Sequence, residues 1–93
     1  MVIGLCTVEL RLSEASNLKE KRRVIKSILA RSRSRFNVSA AEIDHQDNWK
    51  RAMLGFAAVS NETSPIYRIF ASLVHQLEAN KQIEILDFST ETY

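Results

Sequence analysis

The segment Asp44-His45-Gln46-Asp47 is the one place in this chain where titratable side chains gather. Carboxylate and imidazole groups held together can bind a divalent cation or move a proton between them. The spacing fits no closed metal motif, however, and His75 is the only other histidine. Aspartates in a connection between strands more commonly accept hydrogen bonds from neighbouring amides and so hold a turn. Asp44, His45 and Asp47 are therefore expected to shape a turn, with no metal site.

Nothing else in the chain assembles a reaction centre. With glycine only at positions 4 and 55 there is no phosphate-cradling loop, and no serine stands in a G-x-S-x-G elbow. The lone cysteine, Cys6, excludes an internal disulfide framework and falls among apolar residues, where a thiol is an inert small hydrophobe. His75 lies away from its neighbours' apolar stripe and is expected in solvent. No catalytic residue, enzymatic activity or cofactor is expected.

A second kind of chemistry lies between Asn17 and Arg35. Read as a helix from Leu18, this segment places Leu18, Val24, Ile25, Ile28 and Leu29 on one side. Lys19, Arg22, Arg23, Lys26 and Arg33 form a separate stripe, because residues three and four apart are neighbours on a helix. Cations gathered on one rigid element can neutralise several phosphates at once. Residues 1–35 carry nine Lys or Arg against three Glu, whereas residues 36–93 carry four against eight acids, so the net charge of +2 conceals a dipole.

Trp49, beside Lys50 and Arg51, adds a possible stacking platform: its indole on an exposed base, the two cations on the backbone. The plainer alternative has the ring closing one end of the core with its N–H on a turn carbonyl. Gly55-Phe56-Ala57 partly matches the third-strand signature of RNA-recognition motifs. Leu54 stands where that signature needs a cation and Ala58 where it needs a second ring, and the first strand has no aromatic residue. The usual base platform is therefore missing, and Phe56 is expected in the core.

Six elements must position these groups. Val2 to Leu12 alternates as a half-buried strand, with Val2, Gly4, Cys6, Val8, Leu10 and Leu12 on one face and Thr7, Glu9 and Arg11 on the other. Ser13 to Ser16 connects it to the basic helix, which Asn17 and Glu20 open as a capping box and which runs to about Ser34. A second strand is expected over Phe36 to Ile43, a turn over Asp44 to Lys50, and a third strand over Ala52 to Val59. That third strand is apolar on both faces and belongs inside a sheet. Ser60 to Pro65 is a cluster of capping residues, Pro65 suiting a first helical turn. Ile66, Ile69, Phe70, Leu73 and Leu77 then follow at helical spacing until Asn80 or Lys81, before a last strand over Ile83 to Phe88. The order predicts a ferredoxin-like βαββαβ α+β fold over residues 1–93 as one domain: a four-stranded antiparallel sheet with two helices on one face.

A hydrophobic share of 45% with 26% charged residues fits neither a disordered chain nor a membrane span, and no apolar run nears the ~20 residues that a spanning helix needs. The N-terminus reads straight into a strand, without the pattern of a signal peptide. A cytoplasmic protein is the expectation.

Taken together, several stretches resemble the YlxP-like family of small, functionally uncharacterised bacterial domains. They are Leu18-Lys19-Glu20-Lys21-Arg22-Arg23, Arg35-Phe36-Asn37-Val38-Ser39, Ala41-Glu42-Ile43-Asp44-His45-Gln46-Asp47-Asn48-Trp49, Leu54-Gly55 and Val59-Ser60-Asn61. The resemblance covers nearly the whole chain. It implies a ferredoxin-like fold and, from genes that neighbour those for translation initiation and ribosome maturation, a ribosome- or RNA-associated role. The family supplies no catalytic residues. The expected function is a non-enzymatic RNA- or ribosome-associated accessory protein that grips phosphates with Lys19, Arg22, Arg23, Lys26 and Arg33, assisted by Lys50 and Arg51. The rival expectation is an interaction module, homo-oligomeric through a sheet edge or the open sheet face, with no nucleic-acid role.

Overall fold

A computed structural model describes residues 1–93. Its elements are β1 (Val2–Leu12), α1 (Leu18–Arg35), β2 (Ser39–Asp44), β3 (Arg51–Ser60), α2 (Thr63–Glu78) and β4 (Ile83–Thr92). The four strands form one antiparallel sheet in the order β2-β3-β1-β4, with β1 paired to β3 on one side and β4 on the other. This is the ferredoxin-like α+β architecture read from the sequence.

The alternation along β1 and β3 creates the core. Cys6, Val8, Leu10 and Leu12 of β1 and Ala52, Leu54, Phe56 and Ala58 of β3 are buried, and the residues between them are not. Onto that face α2 sets Ile66, Phe70, Leu73, Val74 and Leu77, and α1 sets Ile25 and Ile28. Gly4 lies where α2 crosses β1: a β-carbon there would overlap Ile66 Cγ2 and come within 2.9 Å of Phe70 Cε2. The opposite face of the sheet carries no helix.

Three local details depart from the expected pattern. The second strand begins at Ser39, not Phe36. Phe36 instead caps α1 in an extended conformation, its amide donating to Ser32 O, and the Val38 amide turns back to Phe36 O. The last strand runs on to Thr92, because Thr90 and Thr92 still pair with Cys6 and Gly4 and the Tyr93 amide bonds Ile3 O. Finally, the capping box is shifted. Asn17 Oδ1 accepts from the Glu20 amide at 2.9 Å, but the Glu20 carboxylate reaches back to the amide and hydroxyl of Ser16.

Candidate nucleic-acid interface

The buried stripe of α1 is Lys21, Ile25, Ile28 and Ser32, one helical face that is polar at both ends. Ser32 satisfies its hydroxyl on Ile28 O at 2.9 Å. Lys21 is fully buried, and its ammonium meets three oxygens: His45 O at 2.5 Å, Asn48 O at 2.6 Å and Glu42 Oε2 at 2.8 Å. The lysine thus ties α1 to the β2–β3 connection from beneath. The sequence pattern left Lys21 outside the cationic stripe without giving it a role. Its signal was the spacing to Ile25, Ile28 and Ser32, which places position 21 on the apolar side.

In the turn that Lys21 holds, Asp44 and His45 take the part expected of them, while Asn48, and not Asp47, supplies the other side-chain bond. Asp44 Oδ1 accepts from the His45 amide at 2.7 Å, the Asn48 amide donates to His45 O at 3.0 Å, and Asn48 Oδ1 accepts from the Lys50 amide at 2.9 Å. His45 adopts φ 66°, the left-handed region, which is uncommon for a residue with a β-carbon and is sustained here by these bonds. Its Nε2 lies 3.3 Å from Glu9 Oε1, the oxygen that also accepts from Arg51. Arg51 holds the Glu9 carboxyl below its ordinary pKa, with a smaller contribution from His45. No three Asp, Glu, His or Cys side chains converge as metal ligands would.

The cations expected to grip phosphate are distributed as follows. Lys19, Arg22, Arg23, Lys26 and Arg33 are all exposed, within an arc of about 100° around the helix axis. None has a carboxylate partner within 4 Å. Arg22, Lys26 and Arg33 line a cleft of about 280 Å³ between α1 and β2, above Ile25 and Leu29 and beside Glu42, whose carboxylate is taken up by Lys21, and Arg33 also donates to Ala40 O of β2 at 3.1 Å. Arg23 sits at the other margin, in a hollow with Glu14 and Glu20, and its charge helps to lower the Glu20 pKa after the larger effect of the Ser16 bonds. The densest unbalanced charge is therefore Lys19, Arg22, Lys26 and Arg33.

The second group is arranged differently. The Trp49 ring is 37% exposed and outside the core cluster, and the Lys50 ammonium lies 4.9 Å from its centroid. Arg51 starts β3 on the bare face of the sheet and is committed to Glu9. Phe56 is buried at 2% exposure, as expected, and Cys6 and exposed His75 also lie where the sequence placed them. Burial raises the Cys6 pKa.

Structure and surface together define a small ferredoxin-like α+β domain whose first helix presents an unneutralised cationic stripe. The chain belongs to the family described as "Protein of unknown function (DUF503)", whose model matches residues 3–90. It is 48% identical over 60 residues to the "Uncharacterized protein YlxP" of Bacillus subtilis (strain 168), a match taking in 64% of this chain and 65% of that protein. The YlxP-like resemblance is thus a family relationship. The fold is also similar to that of the "De novo designed protein Foldit4", with a TM-score of 0.56 at 16% identity over 98% of this chain and 96% of that one. At that identity the likeness concerns the fold alone. No helix is long and apolar enough to cross a membrane.

Proposed function

We propose that this chain is a non-enzymatic accessory protein of the cytoplasm that binds structured RNA, ribosomal RNA or a ribosome precursor, through α1. The observation that supports the reading is the exposed stripe of Lys19, Arg22, Lys26 and Arg33, cations on a single rigid helix without acidic partners. A solvated helix needs no such segregation, since charges of both signs interspersed keep a surface soluble equally well. Arg23 joins the stripe from its margin, and Trp49 and Lys50 extend the contact to the β2–β3 turn, whereas Arg51, on the face of the sheet away from α1 and paired with Glu9, takes no part in it. The choice of ribosomal RNA rests on the family resemblance.

The test is co-sedimentation of the protein with ribosomes and ribosomal precursors at low and high salt, with and without ribonuclease. Binding should fall steeply with salt, disappear after ribonuclease, and weaken in the Arg22→Ala/Arg23→Ala/Lys26→Ala variant while far-UV circular dichroism stays unchanged. A triple variant that binds as wild type overturns the proposal. Binding that survives ribonuclease would select the interaction-module reading, which the apolar bare face of the sheet favours.

A further inference from the structure

The helices cover one side of the sheet only, and the other side is not a polar surface. There β1 presents Ile3, Leu5, Thr7 and Glu9 beside Val59, Ala57, Gly55 and Met53 of β3, in that register. Leu5 is 40% exposed, Ile43 49% and Val59 60%, large apolar side chains that an isolated domain has no reason to cluster. Gly55, Ala57 and Ala41 floor a shallow apolar trough of about 360 Å³, walled by Leu5 on β1 and Ile43 on β2. Ridge and trough therefore lie side by side on one face.

We infer that two copies of this chain pack bare face to bare face, about a twofold axis that runs parallel to the strands between β1 and β3. Such an axis exchanges β1 for β3 and preserves position along the strands. Leu5 and Ala57 sit at one level of the sheet, as do Thr7 and Gly55. The Leu5 of each copy consequently lands on Ala57 of the other, and Thr7 on Gly55, large on small at both places. This is the self-complementarity an isologous interface requires. Sheets stacked in this way keep their strands within about 30° and lie about 10 Å apart.

Area agrees with that occupant, and charge does not oppose it. At the far end of the face Glu9 is paired with Arg51 and Arg11 with Glu84 inside each copy, so the contact buries no lone charge there. The same axis sets Arg11 of one copy over Arg51 of the other, cation facing cation, and it is the carboxylates of Glu9 and Glu84, each already paired with one of these arginines, that balance the two charges. The acids of β4 fall over β2 at the rim, within reach of water. Three strands of ten or eleven residues and one of six offer a footprint of about 600 Å² per copy. Two copies then bury about 1,200 Å², above the roughly 1,000 Å² that marks a specific interface. The helices end up outermost, so one dimer exposes two α1 stripes on opposite surfaces.

Sedimentation equilibrium of the full chain from 1 to 200 µM tests this directly. The expected mass at the upper end is twice the 10.6 kDa of the chain. Ala57→Glu, which fills the trough with charge, and independently Leu5→Arg, should each return the mass to that of one copy with unchanged circular dichroism. Arg22→Ala/Lys26→Ala should leave the dimer intact, which separates this inference from the RNA proposal. A wild-type protein that stays a single copy throughout, or an assembly that both face variants leave undisturbed, overturns it.

Discussion

The ammonium of Lys21 and the carboxylate of Glu42 meet at 2.8 Å, where α1 passes under the β2–β3 connection. The lysine is fully buried and the Glu42 side chain only 17% exposed, so each is the other's main counter-charge. Two backbone carbonyls, of His45 and Asn48, complete the coordination of the ammonium. Removing one partner of a buried pair strands the other, which costs about 3–5 kcal/mol. Lys21→Met should therefore lower stability by about 3 kcal/mol and Tm by at least about 12 °C. Lys21→Met/Glu42→Leu should recover much of that loss, because apolar side chains replace both charges. Calorimetric melts of the three proteins decide: additive losses in the double variant would mean that the two groups are not coupled.

A salt titration reads the α1 surface residue by residue. Each phosphate neutralised adds about 0.9 to the log–log dependence of affinity on salt for duplexes, and less for single strands. Lys26→Ala should reduce the slope for RNA binding by about 1. Arg31→Ala should leave it unchanged, since Arg31 lies outside the stripe and turns back to Ser27 Oγ at 3.4 Å. Equal slopes for the two variants would mean diffuse attraction and no defined contact surface.

Much of this architecture can be read from the chain alone because its parts are periodic. Alternation in β1, the two-faced apolar run of β3, helical spacing in α2 and the cap at Asn17 each follow from local rules, and together they leave one simple topology. What escapes is long-range. Nothing local says that Lys21, one cation among several, reaches across to residues 42, 45 and 48, or that Glu9 is the partner of Arg51. Phe36 resembles the start of a strand by composition, yet the helix it follows needs a residue to receive its last turn. The cationic stripe is legible as a pattern. That Arg23 faces Glu14 and Glu20 while Arg22 and Lys26 face β2 depends on how α1 sits over the sheet.

The acid limb of stability should carry the signature of Glu9. Arg51, hydrogen-bonded to it, is the larger cause of its lowered pKa, and His45 the smaller. A carboxyl depressed in the folded state adds stability above its unfolded value, near 4.5, and loses that contribution as pH falls through the folded value. Urea denaturation at pH 7 should thus favour the wild type over Glu9→Gln, and the gap should close towards pH 3. A gap that stays constant across this range would mean that Glu9 acts through packing alone.

The two glycines should respond oppositely to the same substitution. At Gly4 an added methyl meets Ile66 and Phe70, both buried under α2, so Gly4→Ala should cost about 1–3 kcal/mol through overpacking. At Gly55 it meets only the outer atoms of Ile43, the nearest at 3.0 Å, and Ile43 is half exposed and free to move aside. Gly55→Ala should be neutral or stabilising by a few tenths of a kcal/mol, because strand glycines carry an entropic penalty of about 0.5–1 kcal/mol. Chemical denaturation of both variants gives the comparison, and a Gly4→Ala protein as stable as wild type would show that α2 can lift from β1 without loss.

Trp49 offers an optical report on whether the β2–β3 turn touches RNA. In the free protein the Lys50 ammonium stands 4.9 Å from the ring centroid, a cation–π arrangement on a partly exposed indole. A base stacking on that ring must displace the ammonium, which becomes available to a phosphate of the same strand. Emission of the sole tryptophan should then quench and saturate along the binding isotherm. Trp49→Ala should weaken RNA binding about 5-fold or more, and Trp49→Phe much less, because a base–aromatic stack is worth about 1–3 kcal/mol. The fold should tolerate both changes, since the ring lies outside the core cluster. If emission at saturating RNA matches that of the free protein, contact is confined to α1, and Lys50 belongs to the turn and not to the interface.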